Sequence, residues 1–437
     1  MKKFSRFLSY LSAIFGLLTL IRSPKGTVGG IMWLPKLWAG AWAPFLSVAG
    51  ALGALLGLGR KDRTAILLGT FGAMAGIRHT QIVTKKHNAF EQTFGEDWEQ
   101  RISPEMWIRS SRRYQWIQPP KRLGSFQTNI NIGGETPLLC DVWLPPENVP
   151  PSRLGIIYFH GSLWQAVDKD FGTRPLFARL VNQGHAVMEV AYSLAPTAQM
   201  PQMVDEVKRS IAWMKEHATE LSIDPDRIVL MGSSGGAHLA MLAAYTPNFP
   251  TFQPQGIKTD TSVRGVISMF GVTDLTSYFY EYGEVNPSQP EYSWQVTEDM
   301  RPYIHDKTWL DRFITRTRAF PEYRYKNIPG GPALLIDVFG GTPKEIPEIY
   351  KLYSPSTYVG AHCPPTLQIF GDNDFVINAS QGRNLHAALQ NANAVSAYIE
   401  FPDTVHAFDQ YFGVSRRVAP AAQVASHDIE MFLALLV

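Results

Sequence analysis

The run from Leu37 to Gly59 (LWAGAWAPFLSVAGALGALLGLG) contains no charged residue. A helix needs roughly 20 apolar residues to cross a hydrocarbon core, so this run reads as a transmembrane helix. Two shorter apolar runs flank it, Phe7 to Ile21 and Thr64 to Ile77. Each lies near the lower limit for spanning and reads as a short span, a re-entrant piece or an interfacial helix. Residues 1–85 are therefore expected to form a membrane-anchoring region of apolar helices, which makes the chain an integral membrane protein. Lys2, Lys3 and Arg6 ahead of an apolar run also resemble the start of a secretory signal peptide. Against that, Arg22-Ser23-Pro24-Lys25 follows without a small-x-small cleavage site, and a second apolar segment comes after it. Arg60, Lys61 and Arg63 compete with Arg22, Lys25, Lys36, Arg78, Lys85 and Lys86, so basic residues assign no membrane side.

The chain has 437 residues, more than a single core of about 250 to 300 residues holds, and two parts are expected. Residues 86–125 read as a linker with room for one amphipathic helix: Trp98, Trp107 and Trp116 are interspersed with Glu91, Glu96, Asp97 and Glu99, and the segment ends at Pro119-Pro120. From 126 to 437 short apolar runs alternate with helical periods. Leu138–Leu144, Leu154–Phe159, Ala186–Ala191, Ile228–Met231, Val263–Phe270, Thr366–Phe370 and Ser396–Phe401 read as strands. Met203–Leu221, Ala237–Ala244 and Ser426–Leu436 read as helices. Such alternation specifies an α/β domain with a mostly parallel, doubly wound sheet. With 40 basic and 38 acidic residues and a net charge of +2, the chain carries no polyanion-binding signature, and nucleic acid is not an expected partner. Cys140 and Cys363 are the only cysteines and no Cys/His cluster occurs, which disfavours a disulfide scaffold or a structural zinc; a single bridge between the two stays open. No metal and no cofactor is expected.

Gly232-Ser233-Ser234-Gly235-Gly236 lies between a strand and a helix and has the pattern G-x-S-x-G. Glycines are needed there because a sharp strand-to-helix turn leaves no room for side chains, and the turn presents a serine hydroxyl at a helix N-terminus. A nucleophilic Ser234 needs a base, and the base needs an orienting acid. His406 is the favoured base over His238, His305, His362, His386 and His427, because Val405-His406-Ala407-Phe408 falls in the loop between the last strand and the last helix. His386 and His427 read as helix-surface residues. Asp374, in the turn after Thr366–Phe370, is the favoured acid; Asp372 and Asp274 are the alternatives, Asp372 suiting turn hydrogen bonds. Backbone N–H groups of Gly161, Ser162 and Gly235 are candidates for stabilising an oxyanion, with His160 as a loop-pinning residue.

His160-Gly161, Tyr192-Ser193-Leu194-Ala195-Pro196, the Ser234 turn, Gly371–Val376 and His406-Ala407-Phe408 occur in the order seen in one family. From about residue 130 to the end the chain resembles the esterase/lipase branch of the α/β-hydrolase fold, near the hormone-sensitive-lipase-like and feruloyl-esterase-like carboxylesterases. The resemblance implies an α/β-hydrolase domain over 126–437 that cleaves small-molecule or lipid esters. It departs from the family at Ser162, where a second glycine is usual, and at Ser193, where arginine is common. An aromatic-rich stretch over 275–337, including Tyr278, Phe279, Tyr280, Tyr292, Trp294 and Trp309, reads as a cap over the site. Amide or peptide cleavage, acyl transfer, and an inert binding domain are the competing functions.

Overall fold

β-Branched and aromatic runs that carry no polar alternation can only be strands buried on both faces, and this rule sets the centre of the molecule. The computed structural model describes residues 2–24, 27–133, 137–165, 167–169, 172–195, 197–281, 332–409 and 416–437. The strands are β1 (Phe126–Asn131), β2 (Leu139–Trp143), β3 (Gly155–Phe159), β4 (Ala186–Ala191), β5 (Ile228–Ser233), β6 (Gly265–Met269), β7 (Thr366–Gly371) and β8 (Ser396–Phe401). They form one sheet in the order β1-β2-β4-β3-β5-β6-β7-β8. β1 and β2 run antiparallel at one edge, β2 pairs antiparallel with β4, and every other pairing is parallel. All residues of β3, β5, β6 and β7 are buried.

Helices cover both faces: α6 (Arg174–Asn182), α7 (Met200–Glu216), α8 (Gly235–Tyr245) and a closing helix Pro420–Leu436 among them. Sequence reading missed β1 and α6. β1 is an edge strand whose residues are almost all exposed, so it lacks an apolar pattern, and α6 is only nine residues long. Lys208 of α7 reaches the C-terminal end of α8, its Nζ donating to the carbonyl of Ala243 at 3.0 Å. A cation on the last carbonyls complements the negative end of the helix dipole. Cys140 and Cys363 are both buried thiols and are not paired.

The N-terminal part is a unit of three long helices: α1 (Lys2–Leu20), α2 (Thr27–Leu58) and α3 (Arg63–Thr84). Its interior is made of small residues. Ser5, Ser9 and Ser12 of α1 donate to the carbonyls of Gly53, Ala65 and Leu46 at 2.8 to 2.9 Å. Glycines allow this approach, since a Cβ on Gly72 would sit 2.4 Å from the Ser12 backbone and one on Gly69 2.5 Å from the Gly50 carbonyl oxygen. The large apolar side chains point outward instead: Phe4, Phe7, Ile14 and Leu17 on α1, and Leu67, Phe71, Met74 and Ile77 on α3, are exposed. Val28–Leu58 is long and apolar enough to cross a membrane; a signal sequence passes the same test.

Residues 86–125 are more than the connection the composition suggests. Two short helices, α4 (Ala89–Phe94) and α5 (Pro104–Arg109), take the place of the single amphipathic helix expected. Phe90, Trp98, Ile102 and Met106 join the main core. Asp428 on the closing helix binds Arg113 at 2.6 Å and His87 at 2.9 Å, and Glu430 accepts from Ser111 while pairing with Arg179 at 2.7 Å. Apolar burial and buried ion pairs together strap this segment to the domain.

Candidate active site

β5 delivers the chain into α8 through a turn that few sequences could make. Ser234 adopts φ 51° and ψ −121°, a conformation that costs a residue with a Cβ about 1 to 3 kcal/mol. Tertiary contacts hold it there. The Ser234 N–H donates to the Met269 carbonyl at 2.8 Å, and the Ser234 carbonyl accepts from His238 N–H at 3.1 Å as the first bond of α8. The glycines around it are sterically required: a Cβ on Gly236 would lie 2.2 Å from the Phe159 carbonyl oxygen, and one on Gly232 2.5 Å from the Gly236 backbone. Ser233, by contrast, is hydrogen-bonded through its hydroxyl to Tyr158 Oη at 3.0 Å.

Asp374 and His406 arrive on neighbouring loops at the C-terminal ends of β7 and β8. Those loops are laced together by Asp372 N–H to Phe401 O and Asn373 N–H to Thr404 O, both 3.0 Å. Asp374 Oδ2 is 2.6 Å from His406 Nδ1, and its Oδ1 accepts the N–H groups of Val376 and Ile377 at 2.8 Å. With both oxygens engaged and the side chain fully buried, this carboxylate has one orientation, which fixes the imidazole. Phe270, the residue after Met269 in β6, sets its ring edge-on to the His406 ring with centroids 4.7 Å apart. The same short stretch therefore touches Ser234 through a backbone bond and His406 through a ring contact.

The alternative acids and bases have other partners. Asp274 caps α9 (Leu275–Tyr280) by accepting Ser277 N–H at 2.8 Å, and Asp372 faces Arg22, just beyond α1, at 3.5 Å. His238, His362 and His386 bond Tyr353 O, Tyr245 O and Ser396 Oγ. His427 is half-buried beneath residues 86–125 on the Ser111 carbonyl, so it is not a surface residue. His305 lies outside the described residues.

The loop after β3 turns sharply through Ser162, Leu163 and Trp164, whose φ values are 105°, 56° and 63°. Gly161 packs on the Ser234 turn, where an added Cβ would meet Ser234 Cβ at 3.2 Å, and Trp164 lies against Gly235. Gly235 is the first residue of α8, where backbone N–H groups have no intrahelical acceptor. His160 is a pin for this loop: it stacks on Tyr192 with centroids 4.5 Å apart, Tyr192 Oη donates to its carbonyl at 2.9 Å, and burial holds its imidazole below the usual pKa. Ser193, the residue where arginine was expected, gives both its N–H and its hydroxyl to Glu206. Of the cap stretch over 275–337, residues 282–331 lie outside the described residues; Tyr278 and Phe279 are buried in the main core, so these two pack the domain and are not part of a cap surface.

The BD-FAE family model matches residues 140–305. Esterase LipQ of Mycobacterium tuberculosis is 31% identical over 307 residues, 69% of this chain and 62% of LipQ. Kynurenine formamidase of Danio rerio is 39% identical over 144 residues, 32% of this chain and 44% of that enzyme. The chain thus spans less than two thirds of these curated relatives. A truncated carbohydrate esterase from gut microbiota has a similar fold, with a TM-score of 0.52 at 22% identity over 73% of this chain and 99% of its own.

Proposed function

We propose, on the similarity to the BD-FAE family model and to esterase LipQ, that the chain is a serine hydrolase of the esterase/lipase branch of the α/β-hydrolases, cleaving carboxylic esters of apolar alcohols or acids through an acyl-enzyme. The observations that support the reading are the Asp374–His406 pair, the strained Ser234 turn, and the end of β6, where Met269 accepts the Ser234 N–H and Phe270 packs on the His406 ring. In this mechanism Ser234 Oγ attacks the ester carbonyl while His406 Nε2 takes its proton. The tetrahedral oxyanion is held by N–H groups of Gly161, Ser162 and Gly235. His406 then passes the proton to the departing alkoxide, and the acyl group remains on Ser234. Water, deprotonated by His406, attacks the acyl-enzyme and releases the carboxylic acid. Asp374 orients the imidazole and stabilises its charged form.

Residues 1–85 are proposed to sit in a membrane, with 126–437 as the catalytic domain beside it. Support comes from the polarity of the helical unit, where Ser5, Ser9 and Ser12 face inward among Gly69 and Gly72 while Phe4, Phe7, Ile14, Leu67 and Met74 face outward, the arrangement that suits helix packing in lipid. An ester dissolved in that membrane would reach the site by lateral diffusion. Two measurements test the proposal on the full chain: turnover of short- and long-chain nitrophenyl esters with Ser234→Ala as the blank, and resistance of the protein to alkaline carbonate extraction. Turnover that survives Ser234→Ala contradicts the catalytic part; release by carbonate contradicts the membrane part. The formamidase similarity supports a second reading, cleavage of an aryl formamide on the same residues, which a side-by-side assay of ester and formamide substrates separates.

A further inference from the structure

We infer that the N-terminal helical unit is a working part of the catalytic centre, with Trp33 of α2 as a positioning residue for His406 and the α1–α2 turn as a clamp on the Asp374 loop. The inference rests on the reading of Ser234, His406 and Asp374 given above. A passive anchor could touch the domain anywhere. The helical unit also packs on the closing helix, where Ala41 meets Ala419 and Ala422, but among the described residues its hydrogen bonds and ion pairs to the sheet domain gather on the loops of Asp374 and His406. Trp33 Nε1 donates to the carbonyl of His406 itself at 2.8 Å. The N–H of Ser23 donates to Asn373 Oδ1 at 2.7 Å, and Asn373 Nδ2 donates back to the Ile21 carbonyl at 3.3 Å, so the residue before Asp374 is held from both sides. Arg22 faces Asp372 at 3.5 Å, and Arg78 of α3 binds Asp403, three residues before His406, at 2.6 Å. Lys36 Nζ ties the turn internally by donating to the Leu18 carbonyl at 2.9 Å.

His406 depends on such support because its loop is neither helix nor strand, and Asp403 and Ala407 on either side have φ of 51° and 57°. A base must be held to within about 0.5 Å and 10–20° of its productive geometry, and misplacement by about 1 Å can cost roughly 100-fold in rate. Asp374 fixes the Nδ1 side of the ring. Trp33 fixes the backbone from which the ring hangs. The two partners approach from different halves of the chain, one from the catalytic domain and one from the helical unit.

The test uses the full-length protein in detergent micelles and a short, soluble nitrophenyl ester. Trp33→Phe removes the indole N–H and keeps an aromatic ring; Asn373→Ala removes both bonds to the α1–α2 turn. Active sites are counted by exhaustive fluorophosphonate labelling, so that kcat is expressed per reactive site whatever the folded yield. Loss of one such bond is expected to lower kcat about 5- to 10-fold with KM changed by less than about 2-fold, because the ester is bound by other groups. Ile31→Ala, on an exposed position of α2, should leave both constants at wild-type values. Wild-type kcat per site in both Trp33→Phe and Asn373→Ala overturns the inference, as does a rise in KM at constant kcat, which would make Trp33 a substrate contact. Ser234→Ala separates the two levels of the argument: turnover surviving that change sinks the serine mechanism, whereas a dead Ser234→Ala beside wild-type Trp33→Phe and Asn373→Ala sinks only the coupling.

Discussion

The helical unit of residues 2–84 and the sheet domain beyond residue 126 solve the packing problem in opposite ways. In the sheet domain Phe159, Phe177, Phe270, Phe370 and Phe432 are buried, and stability comes from removing large apolar groups from water. In the helical unit the buried positions include Ser5, Ser9, Ser12, Gly69, Gly72 and Gly76, with Leu37 and Val83 buried where the unit meets the sheet domain, while Phe7 and Leu67 are 60% and 70% exposed. In the membrane setting proposed above, serine-to-carbonyl bonds and close backbone contact would be the stabilising terms, with lipid covering the outer face. The two regions meet at the closing helix, where Ala41 packs on Ala419 and Ala422, and at the loops of Asp374 and His406, where Trp33, Asn373 and Arg78 join them.

The largest effect should come from hollowing the sheet domain. Ile267→Ala, in the middle of β6 and fully buried, is expected to cost about 2 to 5 kcal/mol, read as a lower melting temperature. In the helical unit the equivalent error is adding volume. Gly72→Ala would bring a Cβ within 2.4 Å of the Ser12 backbone and should destabilise by about 1 to 3 kcal/mol, seen as easier thermal dissociation of the unit in micelles. If Gly72→Ala were neutral, the close packing of α1 and α3 would be refuted.

Acid offers a probe of the sheet domain. Burial lowers His238 from 6.5 to about 4 and His185 to about 3. Between those values and 6.5 the unfolded chain binds protons that the folded chain does not, so stability is complete above pH 6.5 and falls as pH drops toward 4. His238 alone gives roughly 3 kcal/mol over that window. Replacing it with an isosteric neutral residue, His238→Gln, should flatten the decline in melting temperature between pH 6.5 and 4; an unchanged slope would show that other groups govern acid unfolding. The smallest effect is expected on the outer face of α3. Leu67→Ser, at a 70% exposed position, should shift thermal stability in micelles by no more than about 0.5 kcal/mol while weakening partition into liposomes. A stability loss as large as that of Ile267→Ala would mean that this face packs against protein.

Much of the sheet domain was legible because its signals are local. Unbroken apolar runs such as Gly155–Phe159 and Ile228–Ser233 mark strands buried on both faces, and Gly232 and Gly236 mark a turn that no larger residue fits. Asp374 and His406 could be nominated from their places after strands, and the structure brings their side chains to 2.6 Å. What escaped the sequence was long-range. The bond between Trp33 and His406 joins residues 373 positions apart, and no periodicity encodes such a pairing. The strapping of residues 86–125 escaped for the same reason, since Arg113 looks like any surface arginine until Asp428 is beside it. In the helical unit hydropathy located three apolar runs, but the helices extend beyond them, most of all α2, which begins at Thr27 and not near Leu37; nor did it show that Ser5, Ser9 and Ser12 form the inner face.

The central claim, that Ser234 on this turn is the acyl-accepting atom, is tested most directly by mapping a covalent adduct. The full-length protein is labelled with a fluorophosphonate, digested, and the modified residue located by tandem mass spectrometry. The account predicts a single adduct on Ser234, absent from Ser234→Ala and slowed by orders of magnitude in His406→Ala. An adduct on Ser233, whose hydroxyl is bonded to Tyr158, or labelling that persists in Ser234→Ala, would contradict it.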